Sequence, residues 1–415
     1  MDKLFTKYFN KHQVLNGQLV ASELKVVVPV FLEENDLPIL LESLKQASLC
    51  TTVSVELILV FNYSAEAKEA VITRQLALMA EITQRKAEFE TRQLQITVLT
   101  DFDVPKKQAG VGHARKTGMD FGARSFAHHQ NPSGIIASLD ADCKVESNYF
   151  AAIQAVFEAQ KLVGASIYFE HPLNGAYSDD IYDAISEYEL HLRYYIQALR
   201  FAQFPLAYHT VGSCFACTAQ AYVKAGGMPS KQAGEDFYFL QKVIPLGSFA
   251  EINSTIVYPS SRPSDRVPFG TGPSINTLVE SKAEYHTFNL QAFIDLKVFL
   301  EIKDQLFNIE DAAIDDFTHQ LSGRMRSYLV NSDFFKALKP INDNCSSLEA
   351  FQKRFYEVFN AFRVIKYLNY THAHFLEKTP VFEAAIALYE LQYAQALDVF
   401  DPAELLAIYR QLEKK

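Results

Sequence analysis

Apolar, mostly β-branched runs alternate with segments of helical spacing along the first two thirds of the chain. Four runs predict buried strands, at 24–31, 55–61, 94–99 and 135–139. After the first run, Asn35-Asp36 and Pro38 precede leucines that recur at helical spacing, which predicts a helix start. Strands that alternate with helices favour right-handed βαβ crossovers. We therefore expect an α/β fold with a mainly parallel mixed sheet flanked by helices.

Further along the chain the pattern changes. Two more strands are predicted at 161–169 and around 254–258, and an aromatic-rich helix at 179–201. From about Ile275 onward strand-like runs disappear, and helical periodicity dominates at 283–299, 348–368, 381–399 and 402–412. We expect an α/β domain over 1–275, which contains the candidate functional residues, and an all-helical C-terminal region over 276–415.

Composition narrows the classes of protein. The chain has 415 residues, 49% of them hydrophobic, so it can bury a large core. A net charge of −10 argues against broad nucleic-acid binding, which needs a basic surface. Because we find no apolar run of membrane-spanning length and no signal peptide at the N-terminus, we expect a cytoplasmic protein without a membrane span, with peripheral membrane association left open.

The five cysteines are few and odd in number, which indicates reduced thiols. Cys214 and Cys217 have the spacing of zinc and redox sites, but no second pair completes a zinc set. We expect both to be ordinary buried cysteines.

Two aspartates, Asp140 and Asp142, follow the fourth predicted strand. Ligands of open α/β sheets bind at the carboxyl ends of the strands, and hard divalent cations prefer carboxylate oxygens completed by water and phosphate. The Asp-Ala-Asp turn therefore suits Mg²⁺ or Mn²⁺ bound against a diphosphate. Taken alone, the two aspartates are more simply explained as the start of a loop that caps a helix near Ser147.

A helix predicted over 110–124 carries a small residue at every fourth position, which gives it a smooth face for packing on the sheet. Arg115 and Lys116 near its start are either phosphate ligands or solvated surface charges. Later, Glu235-Asp236 begins another predicted helix. This pair is either a simple helix start or a second acidic site.

The segment 260–274 is rich in proline and glycine around Arg262 and Arg266, so we expect irregular structure. Long loops of this kind often act as lids, and arginines pair well with phosphate oxygens. In the aromatic-rich helix, Tyr182, Tyr188, Tyr194 and Tyr195 either line an acceptor groove or belong to the core.

Taken together, residues 24–259 resemble the family 2 glycosyltransferases of the GT-A (Rossmann-like) fold. The resemblance depends on the order and spacing of six segments. They are Pro29-Val30-Phe31-Leu32-Glu33, Phe61-Asn62-Tyr63-Ser64, Ala114-Arg115-Lys116-Thr117-Gly118, Asp140-Ala141-Asp142, Gly226-Gly227 and Glu235-Asp236. Two positions depart from the family pattern: Leu32 stands where Asn is usual, and Asn62 stands where an Asp commonly faces the base. The chain has no tryptophan and lacks the motif of processive synthases.

The resemblance implies a soluble, divalent-metal-dependent transferase of the hexosyltransferase class. It implies a UDP-, GDP- or dTDP-sugar donor and a hydroxyl acceptor on a glycan, lipid or small molecule, with inversion expected. Asp142, with Asp140, is the implied ligand of Mn²⁺ or Mg²⁺. The implied donor-binding residues are Pro29, Phe31, Glu33, Asn62, Arg115, Asp140, Arg262 and Arg266.

Asp236 is the implied general base and Glu235 the second candidate. Two alternatives remain open: a nucleotidyltransferase that makes the activated sugar, and a non-catalytic nucleotide-sugar-binding module. The sequence leaves the oligomeric state open.

Overall fold

One mixed sheet of eight strands organises the first part of the computed structural model, which describes residues 2–230, 234–264 and 270–414. The strands are β1 Leu24–Val30, β2 Val55–Ser64, β3 Leu94–Val104, β4 Ile135–Ser138, β5 Lys144–Val145, β6 Leu162–Phe169, β7 Phe215–Thr218 and β8 Ser248–Tyr258. Their order is β3-β2-β1-β4-β7-β6-β8-β5. Strands β1 to β4 are mutually parallel, whereas β7 runs antiparallel to both of its neighbours. The structure confirms the predicted α/β class with a mainly parallel mixed sheet.

Helices flank this sheet and make up most of the C-terminal region. They are α1 Lys3–Phe9, α2 Leu37–Leu49, α3 Glu69–Phe89, α4 Val111–His128, α5 Tyr149–Ala159, α6 Asp179–Phe201, α7 Ala219–Lys224, α8 Glu235–Val243, α9 Thr271–Ser281, α10 Leu290–Ile302, α11 Ile314–His319, α12 Gly323–Asn331, α13 Phe334–Asp343, α14 Leu348–Val358, α15 Ala361–His374, α16 Val381–Tyr393 and α17 Pro402–Lys414.

The centre of the sheet is apolar on both faces. Every residue of β1 is buried, as expected for a parallel strand covered by helices on both sides. Lys25 is the charged residue of this buried strand, and it forms a fully buried ion pair with Glu56 on β2. Pro29 is tolerated in this inner strand because β4 pairs with β1 only as far as Val27, so no ladder bond is lost at the proline.

Helix α4 packs against β1 and β2 through glycines, as its small-residue spacing predicts. A Cβ at Gly118 would lie 2.4 Å from a methyl carbon of Val27 and 2.9 Å from one of Val60. Glycine is therefore required for the helix to approach the sheet this closely. The close approach sets the position of Arg115, which lies one turn earlier.

Two compact units emerge from the contacts within the chain. The first contains Met1–Tyr182, Thr210–Asn276 and Glu413–Lys415, and it holds the eight-stranded sheet. The second contains Asp183–His209 and Thr277–Leu412 and is helical apart from a short ribbon of β9 His286–Thr287 and β10 Thr379–Pro380. The expectation that strands are absent after residue 275 is therefore wrong at this ribbon.

Three other element predictions need correction. Helix α9 begins at Thr271, inside the segment 260–274 that was expected to be irregular, because a proline in the first turn of a helix loses no hydrogen bond. The predicted helix 348–368 is two helices, since Phe359 and Asn360 separate α14 from α15. The predicted helix 381–399 ends at Tyr393, where Ala394 adopts a left-handed conformation with φ 50°.

Among the described residues, no helix combines the length and apolar character needed to cross a membrane.

Candidate active site

The polar residues singled out from the sequence gather at one end of the sheet. Glu33 follows β1, Asn62 lies near the end of β2, and Asp140 follows β4. Because β1, β2 and β4 are parallel, these positions share the carboxyl end of the sheet. β7 runs the opposite way, so the segment before it also reaches this end.

Arg115 connects the two acidic motifs. Its Nη2 donates a hydrogen bond of 2.6 Å to Oδ1 of Asp140, and its Nη1 contacts Oε1 of Glu235. Burial alone would lower the pKa of this arginine, but the carboxylates of Asp140, Glu235 and Asp236 raise it, so the guanidinium stays charged. Arg115 is therefore a fixed positive charge between the Asp-Ala-Asp turn and the start of α8, rather than a solvated surface group.

The acidic pair Glu235-Asp236 begins α8, as predicted, and its two members differ in environment. Glu235 is buried and carries the direct contact with Arg115. Asp236 is half-buried, and its Oδ1 accepts a hydrogen bond of 2.7 Å from the backbone N–H of Phe237. Burial, followed by the charge of Glu235, raises the pKa of Asp236 to about 6, against the opposing effect of Arg115. A carboxylate with this pKa suits general-base catalysis near neutral pH.

Gly212, before β7, is a site residue that the sequence did not reveal. A Cβ at this position would lie 3.0 Å from Nη2 of Arg115 and 3.0 Å from Oδ2 of Asp236. A side chain here would press on both groups. No motif surrounds this glycine, so only the fold identifies its role.

Arg262 binds an acidic cluster at the same end of the sheet. The cluster consists of Glu33, Asp36 and Asp142. Arg262 donates at 3.1 Å to Oε2 of Glu33, at 2.7 Å to Oδ2 of Asp36, and at 3.2 Å to Oδ2 of Asp142. Sequence reasoning missed Asp36, which it assigned to a helix start. The predicted donor-binding residue Arg266 lies outside the described residues, as does the middle of the predicted lid, 265–269.

Asp142 experiences an excess of negative charge. Its side chain is 27% exposed, and burial together with the charges of Asp140 and Glu33 raises its pKa to about 7, although Arg262 opposes this. A divalent cation fits such a place, because its charge would offset the excess. No group of three or more His, Cys, Asp or Glu residues within the described parts of the chain is arranged to hold a metal by itself. The residues therefore fit a cation whose remaining ligands are phosphate and water oxygens.

A buried glutamine of α3 shapes the ends of β1 and β2. The side chain of Gln75 accepts a hydrogen bond of 2.9 Å from the N–H of Leu32 and donates to the carbonyls of Val30 at 2.6 Å and Asn62 at 3.2 Å. Leu32 has a left-handed conformation with φ 55°, so the glutamine holds a strained turn in place. This turn carries the predicted residues Phe31 and Glu33.

The predicted base-facing residue Asn62 donates from Nδ2 to the carbonyl of Gly110 at 3.3 Å. Next to it, at the end of β3, Asp101 accepts hydrogen bonds from His113 at 2.9 Å and Thr117 at 2.8 Å. The bond from His113 lowers the pKa of Asp101, which stays ionised. Asp101 and His113 were not predicted as a pair, because they are twelve positions apart in different elements.

The core interpretation of the aromatic-rich helix is supported for three of its four tyrosines. Tyr182, Tyr188 and Tyr194 are buried, and burial raises the pKa of Tyr194 and of Tyr195. Cys214 and Cys217 are buried free thiols, as expected.

No family model matches the chain, and no curated protein matches it. Three solved structures illustrate the similarity in shape. Staphylococcus aureus TarS 1–349 is 13% identical with a TM-score of 0.37, covering 82% of this chain and 91% of that one. Its complex with UDP-GlcNAc is 11% identical with a TM-score of 0.38, covering 94% and 90%.

The third is glucosyl-3-phosphoglycerate synthase from Mycobacterium tuberculosis in complex with Mg²⁺ and UDP. It is 15% identical with a TM-score of 0.32, covering 56% of this chain and 70% of that one. Because all these TM-scores are low, the interpretation of the site rests on its own residues. The predicted motifs meet at one end of this mixed sheet, where Arg115 joins Asp140 to Glu235.

Proposed function

We propose that the chain is a glycosyltransferase that moves a sugar from a nucleotide-diphosphate-sugar to a hydroxyl acceptor, depends on a divalent metal and inverts the anomeric centre. One observation carries the proposal: Arg115 joins Asp140 to Glu235, with Asp236 beside it, at the carboxyl end of the parallel strands. This arrangement supplies a fixed cation for a diphosphate and a carboxylate of suitable pKa within one site.

Donor binding is assigned to the turn after β1, the end of β2 and two arginines. Pro29, Phe31 and Glu33 lie by the nucleoside, and Asn62 offers both a donor and an acceptor to the base. Arg115, with Asp140, lies by the ribose and diphosphate. Arg262 and Arg266 provide further positive charge for the phosphates.

The metal site is assigned to Asp142, with Asp140 as the second ligand. A bound Mg²⁺ or Mn²⁺ supplies Lewis-acid stabilisation of the charge on the departing diphosphate. The two carboxylates would hold the cation, and the ion pair with the buried Arg115 orients Asp140.

Asp236 acts as the general base. Its carboxylate takes the proton of the acceptor hydroxyl while that oxygen forms a bond to the anomeric carbon. The bond from the anomeric carbon to the diphosphate oxygen breaks, and its electron pair leaves with the nucleoside diphosphate. A single displacement of this kind inverts the configuration. Glu235 serves to hold Arg115.

We assign the catalytic domain to residues 1–275 and a helical appendage to residues 276–415.

Donor hydrolysis tests the proposal. A panel of UDP-, GDP- and dTDP-sugars is incubated with the protein, with and without Mn²⁺, and nucleotide release is measured for the parent, Asp142→Ala and a control, Asp180→Ala. Asp180 is exposed at the start of α6, so its loss removes the same charge outside the site.

We expect Mn²⁺-dependent release of one nucleotide by the parent and the control, and none by Asp142→Ala. Pyrophosphate exchange in place of hydrolysis would instead indicate a nucleotidyltransferase. Tight binding of a sugar nucleotide with no turnover at any metal concentration would indicate a non-catalytic binding module.

A further inference from the structure

One buried side chain of α3 continues the pairing of β1 and β2 at the point where their backbones part. The last paired residues are Val30 of β1 and Phe61 of β2. Here Nε2 of Gln75 donates to the carbonyl of Val30 at 2.6 Å and to that of Asn62 at 3.2 Å. A carboxamide has the polar groups of a peptide unit, so Gln75 acts as an additional rung between the two strands.

The orientation of this carboxamide is fixed by its partners. Its Oε1 accepts a hydrogen bond of 2.9 Å from the backbone N–H of Leu32. Exchange of Oε1 and Nε2 would place an oxygen against two carbonyl oxygens and a nitrogen against an N–H. Gln75 is fully buried, so water does not compete for these groups. The three hydrogen bonds are therefore made together in the folded chain.

The bond from Leu32 acts on the conformation of the turn after β1. Leu32 has φ 55°, in the left-handed region that is unfavourable for a leucine. Such a conformation persists only where surrounding contacts hold it, and the bond to Oε1 of Gln75 is one such contact. The neighbours of Leu32 are Phe31 and Glu33, which the proposed function assigns to the nucleoside. Gln75 therefore helps to fix the direction of both.

The bond to Asn62 acts on the residue assigned to the base. Gln75 holds the backbone carbonyl of Asn62, while Nδ2 of the Asn62 side chain donates at 3.3 Å to the carbonyl of Gly110, directly before α4. The asparagine is therefore tied to α3 through its backbone and to the start of α4 through its side chain. Both segments that face the nucleoside thus depend on one glutamine.

We propose that Gln75 is a positioning residue for the donor, which joins the turn after β1 and the end of β2 into one rigid nucleoside-binding unit. The inference rests on the proposed function, since it concerns the nucleoside end of the same site. Because Gln75 is fully buried, it acts through the backbone of these segments and not by touching the nucleotide. The nucleoside is held in the same way before and during sugar transfer, so loss of Gln75 should raise KM for the donor and leave kcat nearly unchanged.

The experiment compares nucleotide binding with stability. UDP, GDP and dTDP are each titrated calorimetrically into the protein in the presence of Mn²⁺, and the nucleotide that the parent binds most tightly is compared across the variants. Urea unfolding measures the stability of each variant, and donor hydrolysis gives KM and kcat. The main variant is Gln75→Met, whose side chain has a similar length but makes none of the three hydrogen bonds.

Two controls on the same helix separate positioning from general effects. Arg74→Met removes the ion pair of 2.9 Å between Arg74 and Glu34, which follows the turn, but this arginine is 59% exposed and surface ion pairs contribute little. Ile82→Ala leaves a cavity at a buried position of α3, about 10 Å along the helix from Gln75. The first control removes a contact between α3 and the segment after β1, and the second lowers stability without removing such a contact.

We expect Gln75→Met to bind the nucleotide about tenfold or more weakly, because the turn then spends about a tenth of the time or less in the binding conformation. KM for the donor should rise by a similar factor, and kcat should stay within about twofold of the parent. Both controls should bind the nucleotide within about twofold of the parent, although Ile82→Ala unfolds at a lower urea concentration. If Gln75→Met loses stability but keeps the parent affinity, the inference is overturned.

Two further variants test the cause. Gln75→Glu keeps the size, and a buried carboxyl beside carbonyl oxygens stays protonated, so one donor remains in place of two. Its affinity should lie between those of the parent and Gln75→Met, and it provides the comparison if Gln75→Met does not fold. Parent-like affinity in Gln75→Glu contradicts the inference.

Leu32→Asn introduces a residue that adopts the left-handed conformation more readily than leucine. Combined with Gln75→Met, it should restore affinity for the nucleotide several-fold, whereas no gain would contradict the role assigned to the bond from Leu32. A parent that binds one nucleotide as tightly as Gln75→Met does refutes only this inference. A parent that binds none of the three refutes the proposed function and this inference with it.

Discussion

At the scale of single residues, the candidate site depends on how two arginines are shared among carboxylates. Arg115 lies between Asp140 and Glu235, and Arg262 lies among Glu33, Asp36 and Asp142. Glu235 is occupied by its contact with Arg115, so Asp236 is the member of the acidic pair that is suited to accept a proton.

Asp236→Asn should therefore abolish proton transfer without disturbing donor binding. We expect kcat to fall by roughly 10²- to 10⁴-fold, with UDP affinity unchanged. In the parent, the rate should rise with pH through about 6, because the pKa of Asp236 is raised to that value and only the ionised form acts as a base. The pH dependence of kcat/KM checks this. Persistence of the same rising limb in Asp236→Asn would assign it to another group.

The pH dependence of stability should reveal Asp142. Its pKa is about 7 in the folded chain and about 3.8 when solvated, so the folded chain binds this proton more tightly. The protonated side chain is therefore fully compatible with folding below about pH 4, and the penalty for its charge develops as the pH rises towards about 7.

In metal-free buffer, Asp142→Asn should match the parent near pH 4 and exceed it at pH 8, by about 4 kcal/mol at most. Thermal unfolding of both proteins across this range measures the difference. Asp180→Asn, the exposed control, should show no such trend. An Asp142→Asn protein that is less stable than the parent at pH 8 would mean that Arg262 outweighs the repulsion.

The residues that sequence reasoning found are those that belong to a motif, and the ones it missed are isolated. Asp140, Asp142 and the Glu235-Asp236 pair stand out because adjacent or alternate carboxylates follow a strand or begin a helix. Gly212 and Gln75 carry no such pattern. Their importance arises from contacts between positions far apart along the chain, such as Gln75 with Val30.

At the scale of elements, α4 is placed by its glycines. Gly118 and Gly122 face the sheet one turn apart, but their surroundings differ. The nearest atoms to a Cβ at Gly118 are branched methyl carbons of buried strands, whereas a Cβ at Gly122 would lie 3.3 Å from the flexible chain of Lys25.

Alanine substitutions should separate these two positions. Gly118→Ala should destabilise the protein by about 1–3 kcal/mol through overpacking, and it should weaken UDP binding because α4 carries Arg115. Gly122→Ala should cost less than about 1 kcal/mol, since alanine also favours the helix. Urea unfolding of the two variants gives the comparison. Equal effects would show that α4 has room to shift away from β1.

The sequence predicted those strands that are buried along their whole length, and it missed elements that are very short or whose start is hidden by prolines and glycines. β1, β2 and β4 were evident because unbroken apolar runs are typical of strands covered on both faces. The short strands β5, β9 and β10 have two residues each, too few to show any period. Helix α9 was missed because the prolines and glycines before it mask its start.

At the scale of the whole molecule, the reactivity of the five cysteine thiols tests whether the core is closed. Cys50 is exposed, and the other four, Cys143, Cys214, Cys217 and Cys345, are buried free thiols. Burial raises the pKa of Cys143 and that of Cys217, which further suppresses the reactive thiolate.

A thiol reagent such as dithionitrobenzoate should therefore titrate one cysteine in the native protein and five after denaturation. Cys50→Ser should remove the native reaction and leave four thiols in the unfolded protein. Rapid reaction of two or more thiols under native conditions would show that part of the core opens readily.

The dispersal of the site along the chain has a consequence for biosynthesis. As the protein is translated, Arg115 and Asp140 emerge long before Glu235 and Arg262. Before α8 has been synthesised, Arg115 lacks its contact with Glu235. Before Arg262 has been synthesised, Asp142 lacks its hydrogen bond from that arginine. Burying such partly paired charges is unfavourable, so the carboxyl end of the sheet should stay solvated until nearly all of the first unit has been made. Nucleotide binding by a ribosome-bound chain would then report that this end of the sheet is complete.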